Sequence, residues 1–244
     1  MLSLPVPSLD GLGDLVERDR VFTSLFPEST EPRRLGRYIV LCTLGKGGMG
    51  TVLKAYDQSL DRQVAIKVLI HPHGRSGRLL ERFEREAQTI ARLRHPHIVQ
   101  IFDYDVAHDG TPYLVMELLE GEDLCRTLQR TGAMPLRVVV SLIVQAARGL
   151  HAAHCSGIVH RDLKPANLFL SRHGGETTLK ILDFGLATSR SPDPGQPGSA
   201  PAGLGTPAYM SPEQVRADPL DQRADLWSLA VVAYEALTGT SPFA

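Results

Sequence analysis

The stretch GKGGMGTVLKAYD, residues 45–57, decides between two kinds of nucleotide-binding fold. Gly45, Gly47 and Gly50 follow the spacing G-x-G-x-x-G, and their backbone N–H groups can approach a phosphate because no Cβ blocks them. In a dinucleotide-binding fold such glycines open a helix. Here they precede TVLKAYD, which alternates like a strand. We therefore expect a strand–loop–strand hairpin, which excludes a nicotinamide enzyme and favours a flexible cover over another nucleotide.

Short β-branched or apolar runs on both sides of this hairpin predict further strands. The predicted strands are RYIVLCTLG (37–45), TVLKAYD (51–57), RQVAIKVLI (62–70), HIVQIFDYDV (97–106) and PYLVMELLE (112–120). Residues 77–96 have helical spacing that ends at Pro96. After Glu120 the pattern predicts short strands around LFL (168–170) and LKIL (179–182), and helices at Leu136–His154 and Ala224–Thr238. A strand-rich part followed by a helix-rich part indicates two lobes that meet near residues 117–123.

The composition is that of a soluble globular chain. Of its 244 residues, 43% are hydrophobic and 22% are charged. Because 26 Lys and Arg residues nearly balance 27 Asp and Glu residues, no nucleic-acid or membrane-surface partner is indicated. Three scattered cysteines without a CxxC pair fit reduced thiols, so we expect a cytoplasmic protein.

The two ends of the chain carry further expectations. Residues 1–36 combine prolines, alternating charges and little periodicity, which predicts a flexible extension. The first residues lack the basic region and continuous apolar core of a signal peptide. The longest apolar-rich stretch is expected to be Leu226–Leu237, which is too short to cross a bilayer. The sequence therefore predicts no membrane segment in this chain.

Four further segments accompany the glycine hairpin. VAIK (64–67) places a lysine on the neighbouring predicted strand, and HRDLKPAN (160–167), DFG (183–185) and GTPAYMSPE (205–213) follow in that order. Together these segments closely resemble the signature set of protein kinases. LGKGGMGTV, HRDLKPAN and GTPAYMSPEQ resemble more narrowly the bacterial eukaryotic-type (Hanks-type) Ser/Thr protein kinases, over about residues 37–244.

The resemblance implies an α+β, two-lobed protein kinase fold. A β-rich N-lobe with one main helix is expected at 37–116, a hinge at 117–123 and a partial, mostly helical C-lobe at 124–244. The family's last helices would be absent, and with them the arginine that pairs with Glu213. We accordingly expect exposed apolar surface on the helix that contains Trp227, and aggregation or weak activity of the chain.

The activity implied by the resemblance is transfer of the γ-phosphoryl group of ATP to Ser or Thr in proteins. This reaction needs charge neutralisation and alignment more than covalent help. Asp162 is expected to accept or orient the proton of the substrate hydroxyl, and Lys164 to reach the γ-phosphate. Asn167 and Asp183 would offer oxygen ligands to Mg²⁺, with Mn²⁺ as an alternative. Lys164 followed by Pro165 resembles Ser/Thr rather than tyrosine kinases.

The resemblance also implies where the nucleotide binds. Lys67 would contact the α- and β-phosphates and pair with Glu86, for which a solvated surface charge is the alternative. The backbone of Glu117 and Leu119 would hydrogen-bond the purine edge. The apolar residues around adenine would serve equally well as ordinary core. The other residues expected around ATP are Leu44, Gly45, Lys46, Gly47, Gly48, Met49, Gly50, Val52, Ala65, Met116, Asp123 and Phe169.

Regulation is expected in the Pro- and Gly-rich segment 183–213. In kinases of this type Arg161 can bind a phosphate on this segment; a permanently flexible or already competent segment is the alternative. Autophosphorylation would use a transient homodimer. The candidate phosphosites are Thr188, Ser189, Ser191 and Ser199. A regulatory column is expected from Ile90, Ile101, His160 and Phe184, with Asp225 at its base, although a plain core predicts the same burial.

Two other kinds of protein remain as alternatives. A non-catalytic ATP-binding module would lack one of the expected catalytic or metal-binding residues, and all of them are present. This alternative stays open only because the family's last helices would be absent. A small-molecule phosphotransferase is disfavoured by GTPAYMSPE, which in protein kinases helps to form a peptide-docking surface. The histidine pairs His71/His73 and His151/His154 lack nearby Cys, Asp or Glu at metal-site spacing. We expect them to be surface or partly buried polar residues, and no zinc site is predicted.

Overall fold

The computed structural model describes residues 34–47, 50–69, 87–184 and 207–243. The chain divides into two compact units. One combines Met1–His71 with Asp105–Tyr113, and the other combines Pro72–Tyr104 with Leu114–Ala244. The described helices belong to the second unit, so the strand-rich and helix-rich parts are separated as an α+β fold requires.

The first unit is built on four consecutive antiparallel strands. They are β1 (Arg34–Leu35), β2 (Tyr38–Gly47), β3 (Gly50–Asp57) and β4 (Arg62–Leu69). Leu53, Ala55 and Asp57 of β3 are buried, whereas Lys54 and Tyr56 between them are partly exposed. This is the period-two burial of a sheet with one covered face. With β5 (Ile101–Val106) and β6 (Pro112–Glu117), the sheet has the order β1-β2-β3-β4-β6-β5.

The second unit holds four helices with assigned ends and the helical segment 87–91. The helices are α1 (Leu124–Thr131), α2 (Leu136–Cys155), α3 (Pro212–Val215) and α4 (Arg223–Thr238). A small sheet of β7 (Gly121–Asp123), β8 (Leu168–His173) and β9 (Glu176–Ile181) has the order β7-β8-β9. Helix α2 buries a stripe at the predicted helical spacing, formed by Val139, Leu142, Ala146, Leu150 and Ala153.

The structure differs from the sequence predictions at several places. Strand β1 lies inside the predicted flexible extension, because Arg34 and Leu35 pair with β2. The strand predicted at 97–106 starts only at Ile101, since residues 97–99 exchange hydrogen bonds with Ile181 instead. Helix α1 was not predicted; the Asp123 carboxylate caps it by accepting the N–H of Arg126 at 2.8 Å.

Helix α2 is also the one described helix that is long and apolar enough to cross a membrane by length and composition alone. Its apolar window has a mean hydropathy of 1.3. The prediction that Leu226–Leu237 is the longest apolar stretch is therefore wrong. The buried stripe of α2 packs in the core of the second unit, and a core helix of a globular domain has the same composition. This finding alone does not establish a membrane span.

Candidate active site

The loop HRDLKPAN connects α2 with β8 in the second unit, and a buried carboxylate fixes where it begins. Asp225, in the first turn of α4, accepts the N–H of His160 at 2.8 Å and the N–H of Arg161 at 2.9 Å. The dipole of α4 favours a negative charge at this position. Arg161 has a φ of 66°, a strained left-handed conformation that persists only where the surroundings hold it. The predicted base of the column, Asp225, is thus the residue that positions the loop.

A further contact to this carboxylate was missed by the sequence analysis. His154 Nε2 lies 2.7 Å from Asp225 Oδ2, and both side chains are nearly inaccessible to solvent. The sequence analysis treated His154 as a surface or partly buried polar residue. It follows Ala146 and Leu150 at intervals of four on the buried stripe of α2. A polar residue on an apolar stripe needs a partner, and that signal could have revealed the contact.

The imidazole of His160 connects the loop to the segment that contains DFG. Its Nε2–H donates to the carbonyl of Leu182 at 2.8 Å, and its Nδ1 accepts the N–H of Asp162 at 3.2 Å. These two bonds assign the neutral tautomer with the proton on Nε2. The ring centroids of His160 and Phe184 are 4.9 Å apart. All four residues of the predicted column are buried in one core.

The carboxylate of Asp162 is held inside this loop by two side chains. The ammonium of Lys164 donates to Asp162 Oδ2 at 2.8 Å. The amide Nδ2 of Asn167 donates to the Asp162 carbonyl at 2.7 Å and to Oδ2 at 3.3 Å. Among the described residues both side-chain contacts fall on Oδ2, so Oδ1 is the oxygen left to meet a substrate hydroxyl.

The two predicted metal ligands lie on adjoining segments. The N–H of Leu182 donates to the carbonyl of Asn167 at 2.9 Å, which places Asp183 beside Asn167. Asp183 has a φ of 52°. Because Nδ2 of Asn167 bonds to Asp162, the amide oxygen Oδ1 is the atom left for a cation. An amide oxygen and a carboxylate are hard ligands that suit Mg²⁺ when phosphates and water complete its shell.

The first unit carries the predicted phosphate-binding residues in one register row. Gly47 at the end of β2 pairs with Gly50 at the start of β3, so these glycines lie on two antiparallel strands, as predicted. Gly45 pairs with Val52, and Val52 pairs with Lys67 on β4. Lys67 is only 6% exposed, whereas Leu44 is 45% exposed. The backbone therefore brings a glycine, a predicted adenine contact and the lysine together within this unit.

The predicted hinge begins at Glu117, the last residue of β6, and lies in the second unit. The N–H of Glu117 donates to the carbonyl of Gln100 at 3.0 Å, so a purine could use only its carbonyl. Asp123 Oδ1 caps α1, and its Oδ2 lies 3.4 Å from Arg126 Nε. Phe169 pairs with Asp123 across β7 and β8. Asp123, predicted near the ribose, thus also has a structural role as a helix cap.

The segment after residue 206 contacts the loop HRDLKPAN (160–167). Ser211 and Gln214 form a capping box on α3, and Gln214 Nε2 donates to the carbonyl of Arg161 at 2.7 Å. Burial and a hydrogen bond to Glu235 raise the pKa of Tyr209. The capping box follows the local pattern S-x-x-Q. The sequence offered no signal for the bonds from Gln214 to Arg161 and from Tyr209 to Glu235, because each joins residues that are distant along the chain.

Several predicted residues lie outside the described part of the chain, and the histidine pair His151/His154 lies within it. Gly48, Met49, Glu86 and the candidate phosphosites lie outside the described residues. Cys155 Sγ lies 3.7 Å from His151 Nε2, one turn further along α2. Within the described ranges, however, no three His, Cys, Asp or Glu side chains gather as a metal site.

Electrostatic contacts also modify the expectation for Glu213. A hydrogen bond to Asp221 raises the pKa of Arg223, and Glu213 contributes to that shift with a smaller effect. Glu213 therefore has a cation in its surroundings, supplied by the first residue of α4. The same helix exposes several apolar side chains, namely Leu226, Trp227, Tyr234 and Leu237.

Comparisons with known proteins agree with this geometry. A model of the protein kinase domain matches residues 38–244. The chain is 40% identical over 210 residues to the serine/threonine-protein kinase pkn3 of Myxococcus xanthus, which covers 85% of the chain and 38% of pkn3. It is 41% identical over 214 residues to PknA of Mycobacterium tuberculosis, covering 86% of the chain and 48% of PknA. The chain thus spans less than half the length of these two curated relatives.

A solved structure has the same fold. The crystal structure of the Mycobacterium tuberculosis PknI kinase domain superimposes with a TM-score of 0.71 at 28% identity, over 88% of this chain and 79% of that domain. The predicted two-lobed kinase fold and the predicted resemblance to bacterial Ser/Thr kinases are both confirmed.

Proposed function

The chain belongs to the protein kinase family, and we propose that it transfers the γ-phosphoryl group of ATP to Ser and Thr hydroxyls of proteins. The observation that carries this proposal is the geometry of Asp162, whose carboxylate is oriented by Lys164 and Asn167 in a loop fixed by a buried acid. The Ser/Thr preference is supported by Lys164–Pro165 and by the names of the relatives.

In the proposed reaction each side chain of the loop has one task. Asp162 Oδ1 accepts the proton of the substrate hydroxyl, or orients that hydroxyl towards the phosphorus. A positioned general base contributes roughly 10² to 10⁴ in rate. Lys164 keeps its ammonium 2.8 Å from Asp162 Oδ2, where it also offers positive charge to the transferred group.

Two further sets of residues hold the nucleotide in this proposal. Asn167 and Asp183 would hold Mg²⁺, or Mn²⁺ in its place, and such a cation would supply positive charge against the phosphates. Backbone N–H groups of Gly45, Gly47 and Gly50 approach the phosphates without a Cβ in between. Lys67, which shares a register row with Gly45 and Val52, supplies the cation for the α- and β-phosphates.

Regulation, partners and location extend the proposal. Arg161 Nε is buried and has no hydrogen-bond partner among the described residues, which supports a role in binding a phosphate carried by the segment after DFG. Autophosphorylation in a transient homodimer would supply that phosphate. The three cysteines are free thiols in the structure, which supports a cytoplasmic location.

Intact-mass spectrometry after incubation with Mg²⁺ and ATP tests the proposed activity. The parent chain should gain phosphate on Ser or Thr, whereas Asp162→Asn should gain it about 10² to 10⁴ times more slowly at unchanged ATP affinity. Phosphate gain at the same rate in both chains would show that Asp162 is not the base. ATP binding without phosphate gain in either chain would instead establish a non-catalytic binding module.

A further inference from the structure

The connector 117–123 is attached to the second unit at two points. At its end, β7 pairs with β8, and the carbonyl of Glu120 accepts the N–H of Arg172 at 2.7 Å. At its start, Glu117 is held by side-chain and backbone contacts to β9 and to residue 100. Leu119 lies between the two attachments. The geometry of its backbone therefore depends on how firmly each attachment is held.

The attachment at Glu117 depends on one partly buried ion pair. Lys180 Nζ lies 2.7 Å from Glu117 Oε1, and the same oxygen accepts the N–H of Gln100 at 2.7 Å. The Glu117 N–H returns a bond to the Gln100 carbonyl. The Lys180 and Glu117 side chains are only 16% and 23% exposed, so solvent screens their attraction less than that of a surface pair.

Lys180 also occupies a distinctive place in the sheet. It pairs with Phe169 across β8 and β9, and Phe169 pairs with Asp123 across β7 and β8. Directly opposed residues of neighbouring antiparallel strands lie on the same face. Lys180 is therefore in one row with two residues that the sequence predicts around ATP, although its ammonium is engaged by Glu117.

We propose that Lys180 is a positioning residue for the purine, acting through Glu117. The ion pair fixes the Glu117 side chain, and the paired backbone bonds to Gln100 then fix the direction of the Glu117 carbonyl. Without the lysine, the carboxylate would seek water and the connector would sample more conformations before binding a nucleotide. Binding would then carry an added ordering cost. This inference rests on the proposed function, because it assumes that the connector meets ATP.

The same sheet contains an exposed ion pair that serves as a control. Arg172 Nη2 on β8 lies 3.5 Å from Glu122 Oε1, and the Arg172 side chain is 65% exposed. Exposed pairs of this kind contribute little to stability or geometry. Arg172→Met therefore removes a cation from the same sheet without removing a partly buried anchor.

The test compares the parent chain with Lys180→Met, Glu117→Gln, the double variant and Arg172→Met. Calorimetry measures the affinity for Mg-ATP and for adenosine, and a phosphorylation assay measures kcat and KM for ATP. We expect about a fivefold loss of affinity for both ligands in Lys180→Met, with kcat changed by less than about twofold. The double variant should lose no more than the larger single loss, because the two residues act as one pair.

Distinct outcomes separate the inference from the proposed function. Parent-like affinity for adenosine in Lys180→Met would overturn the inference, as would equal losses in Lys180→Met and Arg172→Met. A fall in kcat with unchanged KM would overturn it as well, since a positioning role for the purine predicts the opposite split. A parent chain that binds neither ATP nor adenosine would instead overturn the proposed function.

Discussion

The catalytic loop 160–167 and the glycine hairpin 45–50 would serve the same reaction, but they are held in different ways. The loop is positioned by side chains from distant parts of the chain, above all Asp225, which bonds to two of its backbone N–H groups. The hairpin is positioned by its own strand ladder, with Gly47 facing Gly50. A loop held by buried polar bonds should fail when one partner is lost, whereas a hairpin held by backbone pairing should tolerate most side-chain changes.

The largest effect is expected for a substitution of Asp225, which tests how the catalytic loop is held. Asp225→Ala leaves two backbone N–H groups and His154 without their acceptor in a buried position. We expect a loss of about 3 to 5 kcal/mol in the free energy of unfolding, together with loss of phosphorylation activity. Urea denaturation and the mass assay measure the two effects.

Asp218→Ala, which removes an exposed carboxylate paired with Arg216, is the control and should change stability by less than about 0.5 kcal/mol. Similar losses in both variants would contradict the positioning role of Asp225.

A matched pair of glycine substitutions sharpens the comparison further. A Cβ on Gly121, whose φ is 141°, would lie 2.0 Å from the Leu170 carbonyl oxygen, so Gly121→Ala should cost about 2 to 3 kcal/mol in thermal or urea unfolding. A Cβ on Gly45 meets nothing within 4 Å. Gly45→Ala should therefore keep the stability within about 0.5 kcal/mol of the parent and raise KM for ATP, because the added methyl separates the backbone from a phosphate. An unstable Gly45→Ala protein would show that the hairpin is more constrained than its ladder indicates.

The smallest expected effect lies at the end of α3, next to the catalytic loop. Ala217 has a φ of 56°, and the bonds Ala217 N–H to Gln214 and Asp218 N–H to Glu213 form a Schellman motif that normally uses glycine. Ala217→Gly should raise the free energy of unfolding by about 1 kcal/mol without changing kcat. Differential scanning calorimetry beside kinetic assays measures both. A lower melting temperature would mean that the entropy of the unfolded glycine chain outweighs the relieved strain.

Much of the fold was predictable because local patterns carry it. The hairpin strands β2 and β3 and the helices α2 and α4 lie within a few residues of the positions predicted from hydrophobic spacing and turn residues. Strand β1 and helix α1 were missed. Strand β1 has two residues, which is too few to show a periodic pattern. Helix α1 begins after its cap Asp123, which the sequence analysis had placed near the ribose.

The proposed chemistry of the site comes from the sequence itself, since Asp162, Lys164, Asn167 and Asp183 are predicted from residue type and spacing in two short motifs. The tertiary structure alone decided what holds them. The contact between His154 and Asp225 joins residues 71 positions apart, and that between Glu117 and Lys180 joins residues 63 apart. A hydrogen bond depends on distance and direction in space, and local sequence patterns reach only as far as one helix turn or one strand pair. Short sequence motifs therefore predict which groups react, whereas the orientation of these groups is set only when the chain folds.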